Sequence, residues 1–369
     1  MYDLSYIILL IISIDISHTH QDIDSREMDD EIERFIKVWI SAILCLCYCY
    51  YIASRIPKGF LRLLSLLPIL YLFITLPLNL SSPTLVGCTS FFISWLGTFK
   101  LFLFSFNQGP LALSPPNIVH FISIASLPIT PKQNPSTNEK NTTNKPKWLL
   151  FLKVLIFVMI LGVYNYKENL HPDFLLVIYC CHVYLSLELM LVLVGATVQT
   201  LFGFEIEPQF NEPYLCTSLQ DFWGRRWNLM VTHILRPTVY DPIRRMSTSF
   251  VGPLCATSAA MLATFLMSGL MHELMYYYLT RVPPTWEVTC FFVLHGVCMV
   301  VEVAVKKLAL RSGWRLHRAV SGPLVVALLA VTANWLFFPQ LLRNGLDRKS
   351  IEEYAIMVDF VKSTLPFKN

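Results

Sequence analysis

Long apolar blocks alternate with short polar connections along this chain. Eight of the blocks are about 20 residues long, the length that a helix needs to cross about 30 Å of hydrocarbon. They lie at Phe35–Ser54, Phe60–Leu80, Thr84–Phe106, Trp148–Tyr166, Phe174–Phe202, Phe250–Leu279, Trp286–Val305 and Ala319–Leu342. Strands of a membrane barrel would be about ten residues long and alternate in polarity. The pattern therefore predicts an all-α polytopic membrane protein. A shorter run, Ile118–Ile129, is predicted to be re-entrant or interfacial.

Composition agrees with a chain that lies mostly in lipid. Apolar residues make up 54% of the 369 positions and charged residues 15%, whereas a soluble domain carries about 25% charged residues. The mean hydropathy is +0.52. Several of the ten cysteines fall inside apolar blocks, as Cys45, Cys47 and Cys49 do. Cysteines in lipid-facing helices do not easily reach bridging geometry, so we interpret them as packing residues.

Basic residues occur in every second connection between the blocks. They are Arg55 and Lys58; Lys132, Lys140, Lys145 and Lys147; Arg225, Arg226, Arg236, Arg244 and Arg245; and Lys306, Lys307, Arg311, Arg315 and Arg318. Positively charged loops stay on the cytosolic side. All four basic connections are therefore predicted to be cytosolic, and both termini to face the lumen or the exterior.

The chain is interpreted as one membrane domain, residues 28–369, after an N-terminal extension. Met28 opens an acidic segment directly before the first apolar block. We therefore expect Met28 to be the natural start and residues 1–27 to be dispensable. Residues 131–147 are rich in Pro, Asn, Thr and Lys and predict a flexible cytosolic loop. The other long connection, residues 203–249, holds the most informative motif.

This motif runs from Ser218 to Pro237. Thr217 with Gln220, or Ser218 with Asp221, forms a candidate capping box, and Pro237 would end the helix. At 100° per residue, one face holds Trp223, Trp227, Met230 and Ile234, and another holds Arg225, Arg226, His233 and Arg236. The pattern predicts an interfacial amphipathic helix on the cytosolic surface. Its arginines could attract an anionic cytosolic substrate or lipid headgroups.

An ionisable pair, His272 and Glu273, lies near the end of the apolar block Phe250–Leu279. Ionisable residues at this depth are costly and often functional. Apolar surroundings favour a neutral imidazole, which is the form that a general base requires. The alternative is a structural core histidine. The block is longer than a straight span, so we expect it to tilt or to bend near Pro253, with close helix approach at Gly269.

Other polar residues in the apolar blocks give weaker signals. His182 and Glu188 lie in the fifth block, and His295 and Glu302 in the seventh. They could line the same cavity or pair with lysines; the candidates for such pairing are Lys153, Lys100 and Lys306. The sequence has no histidine series of a di-iron desaturase, no zinc-ligand spacing, no P-loop and no nucleophile elbow.

Two motifs together carry a family resemblance. Asp221-Phe-Trp-Gly-Arg-Arg-Trp-Asn228, followed by Leu235-Arg-Pro-Thr-Val-Tyr-Asp-Pro242, resembles one signature of the plant wax synthases. Ser268-Gly-Leu-Met-His-Glu273 resembles the second, in the same order and separation. These enzymes belong to the membrane-bound O-acyltransferase (MBOAT) group. The likeness covers the chain from about Met28 to its C-terminus, including the run Ile32–Ser41.

The resemblance implies an MBOAT-like fold and transfer of a fatty acyl group from acyl-CoA to a long-chain fatty alcohol. It assigns the catalytic histidine to His272 and a partner asparagine to Asn228. Residues expected to contact acyl-CoA are Trp223, Arg225, Arg226, Trp227, Arg236 and Glu273. We expect no cofactor or metal, because acyl-CoA is a substrate, and no nucleic-acid partner. The expected location is the membrane of the endoplasmic reticulum.

Two other functions stay open at this point. A sterol could replace the linear alcohol at the same site, since sterol acyltransferases occur in the same plant group. A membrane transporter or flippase could instead use Glu188, His272 and Glu302 as a substrate or proton path. Transporters often contain two related halves, and we find no such repeat in the sequence.

Overall fold

The computed structural model describes residues 25–113, 117–131, 147–203, 206–311 and 317–364. Within these ranges, eight helical segments are long and apolar enough to cross a membrane: Asp29–Arg55, Phe60–Asn79, Pro83–Ser105, Trp148–Asn169, Pro172–Phe202, Leu229–Thr280, Glu287–Ala309 and Arg318–Phe337. The predicted number of spans is confirmed. Residues 1–24 and most of the loop 131–147 lie outside the described residues, so the expectations for those segments stay predictions.

The fold is built from helices of very different lengths. They are α1 Ser25–Tyr51, α2 Phe60–Thr75, α3 Pro83–Thr89, α4 Thr98–Ser105, α5 Ile118–Ser126, α6 Lys147–Val163, α7 Pro172–Phe202, α8 Leu219–Arg225, α9 Leu229–Leu235, α10 Asp241–Thr280, α11 Glu287–Arg311, α12 Arg318–Thr332, α13 Pro339–Arg343 and α14 Leu346–Thr364. Short 3₁₀ turns occupy Ala53–Arg55, Leu76–Asn79, Pro110–Leu113, Tyr164–Asn169 and Pro213–Leu215. In the described ranges, β pairing is limited to one bridge between Pro131 and Ile206.

In the part of the chain that the structure describes, three segments of the spans are π-helical. The segment π1 Ser90–Gly97 joins α3 to α4, π2 Arg236–Tyr240 joins α9 to α10, and π3 Ala333–Phe337 follows α12. In a π-helix the backbone hydrogen bond skips one extra residue, so each segment turns the following side chains to a different direction. Such segments are rare and occur often at functional sites.

The outer and inner surfaces of the spans differ as expected for a protein dissolved in lipid. Phe60, Tyr71 and Val331 are large, apolar and at least 65% exposed, whereas Arg62, Lys100 and Lys153 are charged residues of the spans that are buried. Arg62, for example, donates to the carbonyl oxygens of Ile56 (2.8 Å) and Phe104 (3.1 Å). A charged group surrounded by hydrocarbon must find such partners within the protein.

The short run predicted to be re-entrant or interfacial forms α5, a helix of nine residues whose C-terminal half is buried. Lys100, which is 1% exposed, donates to the carbonyl oxygens of Ile124 (2.6 Å) and Leu127 (2.7 Å) at the end of this helix. A cation at a helix C-terminus satisfies carbonyl groups that have no partner within the helix. Lys100 therefore stabilises the end of α5 and does not pair with Glu188 or Glu302.

The sixth span bends and packs closely, as its sequence predicts. Gly252, which precedes Pro253, has φ = 77° and ψ = 165° and breaks α10. A side chain would be strained in this conformation. Farther along, a Cβ atom at Gly269 would lie 2.9 Å from the Cα atom of Thr289. Glycine at position 269 therefore permits the contact between α10 and α11.

The prediction of one interfacial helix over Ser218–Pro237 is wrong. The segment is divided into α8 and α9 by a turn at Asn228, and the chain stays helical through Pro237 into α10. Segment 209–211 causes the division: the Arg226 carbonyl accepts from the Asn211 amide, and the Leu229 amide donates to the Gln209 carbonyl, each at 2.9 Å. The predicted Ser218 cap is present, since its Oγ accepts from the Asp221 amide at 3.0 Å.

Candidate active site

One chamber of about 1250 Å³ is lined by helices from across the chain and is partly open to the surface. Its wall follows α10 from Met261 to Leu279, a distance of about 27 Å at the helical rise of about 1.5 Å per residue. It also follows α7 from Cys180 to Ala196. The chamber is therefore nearly as long as the hydrocarbon layer of a bilayer is thick, about 30 Å. It has the length to hold an extended lipid chain.

His272 lies on the wall of this chamber. Its Nδ1 atom is 2.7 Å from the carbonyl oxygen of Ser268, one turn earlier in α10. A carbonyl oxygen can only accept a hydrogen bond, so Nδ1 carries the proton. In the neutral ring, Nε2 then holds a lone pair. Nε2 has no hydrogen-bond partner among the described residues, so it is free to accept a proton from a substrate in the chamber.

Three aromatic rings hold the imidazole of His272 in place. The ring of Trp95 lies 4.9 Å away edge-on, that of Phe292 lies 4.3 Å away, and that of Phe337 lies 5.9 Å away, all measured between centroids. Contacts at these separations are favourable for aromatic rings. They restrict rotation of the imidazole and exclude water from its faces.

All three π-helical segments contribute to the chamber wall. Trp95 belongs to π1, Arg236 and Tyr240 to π2, and Ala333 and Phe337 to π3. The change of helical register therefore helps to position Trp95 and Phe337, two of the three rings around His272. No local sequence pattern predicts this change of register. A tryptophan in the middle of an apolar block is nevertheless a usable signal for Trp95, because membrane tryptophans concentrate at the interfaces.

Asn228 also lies on the wall of the chamber, in the turn between α8 and α9. It has φ = 37° and is 7% exposed. Asparagine tolerates this left-handed conformation better than other residues with a side chain. Its Oδ1 atom is buried and has no partner in the described part of the chain. An unpaired buried amide is costly, and in this place it is available to a bound substrate.

The other predicted contact residues divide into two groups. Trp223, Trp227 and Arg236 line the chamber, a position from which they could contact a substrate. Arg225 is exposed on the surface, away from the wall. Arg226 is held inside the motif segment, where Nε donates to Asp221 at 2.7 Å.

Glu273 is the remaining predicted contact residue, and it lies behind the wall. Its Oε1 atom accepts a hydrogen bond from the backbone amide of Thr289 at 3.2 Å. Glu273 as a whole is 3% exposed. The structure therefore places Glu273 at the contact between α10 and α11 rather than beside His272 in the chamber.

A buried ionic cluster fixes the motif segment against the spans. Lys153 Nζ lies 2.7 Å from Glu188 Oε1 and 3.1 Å from Glu212 Oε2. Glu212 also accepts a hydrogen bond from the Tyr214 hydroxyl, and its carbonyl oxygen accepts from Arg226 at 3.2 Å. The cluster thus connects α6 and α7 to the turn that presents Asn228. The predicted alternative of a Lys153–Glu188 pair is confirmed, as is Lys306 with Glu302 at 2.6 Å.

The C-terminal helix α14 closes one part of the chamber. Leu346, Ser350 and Tyr354, spaced four residues apart on one face, line the wall. The helix is attached through Asp347, which accepts hydrogen bonds from Lys167 and from Tyr179. Burial raises the pKa of Asp347, but the bonds from Lys167 and Tyr179 outweigh this and lower the pKa below its usual range. Asp347 is therefore ionised when the helix is attached.

The two weaker histidine candidates, His182 and His295, differ in position. His295 is fully buried, and its Nε2 atom is 3.2 Å from the Thr332 hydroxyl, as in a structural core histidine. His182 lines the chamber, and its Nδ1 atom is 3.0 Å from the Tyr164 hydroxyl. The sequence suggested a cavity position for both residues. Of the two, only His182 lines the chamber in the structure.

Comparisons with known proteins agree with this description of the chain. The profile of the membrane bound O-acyl transferase family matches residues 206–294, a range that holds both Asn228 and His272. The Long-chain-alcohol O-fatty-acyltransferase of Simmondsia chinensis is 47% identical over 346 residues, which cover 92% of this chain and 98% of that protein. Two proteins of Arabidopsis thaliana, named Probable long-chain-alcohol O-fatty-acyltransferase 1 and 2, are 49% and 50% identical, and each match covers 91% of this chain and 98% of the relative.

Proposed function

Because this chain belongs to the membrane bound O-acyl transferase family, among its long-chain-alcohol O-fatty-acyltransferases, we propose that it forms wax esters. A fatty acyl group is transferred from acyl-CoA to a long-chain fatty alcohol, and free CoA is released. Both the acyl chain and the alcohol are soluble in lipid, which suits a chamber within the spans. The proposed location is the membrane of the endoplasmic reticulum.

The observation that carries this proposal is the hydrogen bond from His272 Nδ1 to the Ser268 carbonyl. It assigns the proton to Nδ1 and leaves Nε2 as the base on the chamber wall. The alcohol hydroxyl gives its proton to Nε2 while its oxygen attacks the thioester carbonyl carbon. The C–S bond then breaks, the new C–O bond remains, and the CoA thiolate recovers the proton from the imidazolium.

Asn228 supplies the second part of the proposed mechanism. Negative charge develops on the thioester oxygen during the attack. Asn228 lines the chamber, and the NH₂ group of its side-chain amide, Nδ2, can donate a hydrogen bond to that oxygen. A donor of this kind contributes about 2.7–4 kcal/mol to transition-state stabilisation. The apolar wall also excludes water, which would otherwise hydrolyse the thioester.

The acyl-CoA is proposed to enter from the predicted cytosolic side, at the motif segment. Arg236 lines the chamber at this end, and Arg225, Arg244 and Arg245 are exposed nearby in sequence. Guanidinium groups bind phosphates in a bidentate manner. The phosphates of CoA can therefore stay among the arginines while the thioester reaches Asn228 and His272.

The test is a panel of acceptors offered to microsomes that contain the protein. With labelled acyl-CoA we expect wax ester from 1-alkanols, and less or no ester from a sterol. A sterol ester as the main product would replace the acceptor in the proposal and keep the mechanism. If no ester forms from any acceptor, the proposal fails and a transporter becomes the better explanation.

Two histidine variants, one a test and one its control, accompany this panel. His272→Gln should abolish ester formation at equal membrane abundance, whereas His233→Gln, which changes an exposed histidine of α9 away from the wall, should not. Equal rates in the two variants would remove His272 from the mechanism.

A further inference from the structure

The chamber contains a second polar site, centred on His182 of α7. The site is built like the one around His272, with three rings around an imidazole. The ring centroids of Tyr164, Phe157 and Tyr354 lie 5.4, 5.5 and 5.7 Å from that of His182. The mechanism proposed above does not use these residues.

One nitrogen of His182 is left for a ligand. Nδ1 is hydrogen-bonded to the Tyr164 hydroxyl at 3.0 Å. For Nε2, the described residues provide no hydrogen-bond partner, although His182 lies on the chamber wall. A methyl-ended chain that reached this place would leave Nε2 without water and without a partner, which is unfavourable. A chain with a polar group at this position would not.

The partner of Nδ1 indicates which polar group fits. The Ser268 carbonyl beside His272 fixes one tautomer, but the Tyr164 hydroxyl can either donate to Nδ1 or accept from it. Nε2 of His182 is therefore able to act as the acceptor or as the donor. An alcohol hydroxyl has the same two capacities, so it pairs with either tautomer. A carboxylate or an ammonium group pairs with one form only.

The two imidazoles lie within the reach of one long-chain molecule. A continuous path of ring contacts connects them, and no centroid step in it exceeds 6.2 Å. The path runs from His272 through Phe337, Phe338, Tyr179 and Tyr164 to His182. Its whole length is less than about 30 Å, the thickness of the hydrocarbon layer, and the direct separation is shorter.

We propose that His182 binds a second hydroxyl group on a long-chain substrate, remote from the reacting group. The inference rests on the acyl transfer proposed above. Two substrates carry such a hydroxyl, a long-chain diol as acceptor and an ω-hydroxyacyl-CoA as donor. In both cases the C–S bond breaks, one C–O bond forms and the thiol is released. The remote hydroxyl is unchanged, so the product is a wax ester with a free hydroxyl.

The experiment measures a preference ratio in microsomes. For the acceptor, the ratio is kcat/KM for an α,ω-diol divided by that for the 1-alkanol of equal length, both with the same acyl-CoA. For the donor, ω-hydroxyacyl-CoA is compared with plain acyl-CoA. We expect His182→Leu to lower one of the two ratios about tenfold, the effect of one net hydrogen bond. The ratio that falls identifies which substrate carries the hydroxyl.

Two further variants separate binding from damage. His182→Gln keeps a donor and an acceptor and should retain most of the ratio, whereas Cys181→Ala changes a neighbouring wall residue and should leave the ratio as in the wild type. A diol series should also show a preferred length that His182→Leu abolishes.

The outcomes distinguish this inference from the function on which it rests. If the protein makes esters from 1-alkanols but both ratios are the same in the wild type and His182→Leu, the second site is refuted and the acyl transfer stands. If neither acceptor gives an ester, both proposals are overturned.

Discussion

His272 and His182 have similar surroundings and different hydrogen-bond partners. Each lies on the wall of one chamber, each is surrounded by aromatic rings, and each uses Nδ1 for a local bond. The partner of His272 is a backbone carbonyl in its own helix. The partner of His182 is the phenol hydroxyl of Tyr164, in the 3₁₀ turn that follows α6.

This difference separates a base from a binding group. A carbonyl fixes the proton on Nδ1, so Nε2 of His272 is always ready to accept a proton in the neutral ring. A phenol permits both tautomers, so Nε2 of His182 is not prepared for one direction of proton transfer.

Removing the two imidazoles in parallel is the strongest test of this contrast. His272→Ala should lower kcat for ester formation from a 1-alkanol by about 10²–10⁴-fold, the contribution of a positioned general base. His182→Ala should lower it by less than about tenfold. The measurement is the initial rate per amount of folded protein, determined by quantitative immunoblot of the same microsomes. Similar losses in the two variants would contradict the division of roles.

The next test asks whether Asn228 acts through its amide or through its backbone. Asn228→Gly keeps the left-handed turn and removes the amide, so kcat should fall by about 10²–10³-fold with unchanged thermal stability. Asn228→Ala also strains the backbone, by about 1–2 kcal/mol, so it should lower the melting temperature as well. Full activity in the glycine variant would exclude the amide from the mechanism.

The spans could be predicted from the sequence because the solvent imposes them. A chain in hydrocarbon must satisfy its backbone within each segment, so length and hydropathy alone locate all eight segments. The bend at Gly252 and the close packing at Gly269 were predictable for a similar reason. Gly252, before Pro253, adopts a positive φ that would strain any residue with a side chain. Gly269 has no Cβ atom and therefore permits the close contact with Thr289.

The details of the site depend on distant contacts and were harder to predict. Residues 219–235 have a uniform helical pattern, and the division at Asn228 comes from segment 209–211, which competes for backbone hydrogen bonds. The π-helical register that positions Trp95 has no local signature. The bond between His182 and Tyr164 joins α7 to the 3₁₀ turn after α6, whereas the sequence suggested for His182 a place in a cavity or a pairing with a lysine.

Changing one ring beside each histidine should give a smaller difference in activity between the two sites than removing the imidazoles does. Trp95→Phe loosens the contact with the His272 imidazole, and we expect kcat/KM for a 1-alkanol to fall by up to about tenfold, since aromatic pairs contribute about 0.5–1.5 kcal/mol. Phe157→Leu loosens the contact with the His182 imidazole in the same way, and it should lower kcat/KM for a 1-alkanol by less than Trp95→Phe does. The reverse order of effects would indicate that the acceptor reacts nearer to His182.

Removal of one hydroxyl gives the smallest and most selective effect. Tyr164→Phe keeps the ring next to His182 but removes the partner of Nδ1, so the imidazole is held less firmly and its remote hydroxyl ligand is bound less well. The preference ratio for whichever hydroxylated substrate His182 recognises should fall about threefold, which corresponds to less than 1 kcal/mol. The kcat/KM for the substrate without a remote hydroxyl should change less than threefold.

Tyr179→Phe is the matched control, because it removes a nearby hydroxyl that bonds Asp347 and not His182. If both variants change the ratio equally, the effect comes from the attachment of the C-terminal helix, and the bond between Tyr164 and His182 has no separate role in recognition.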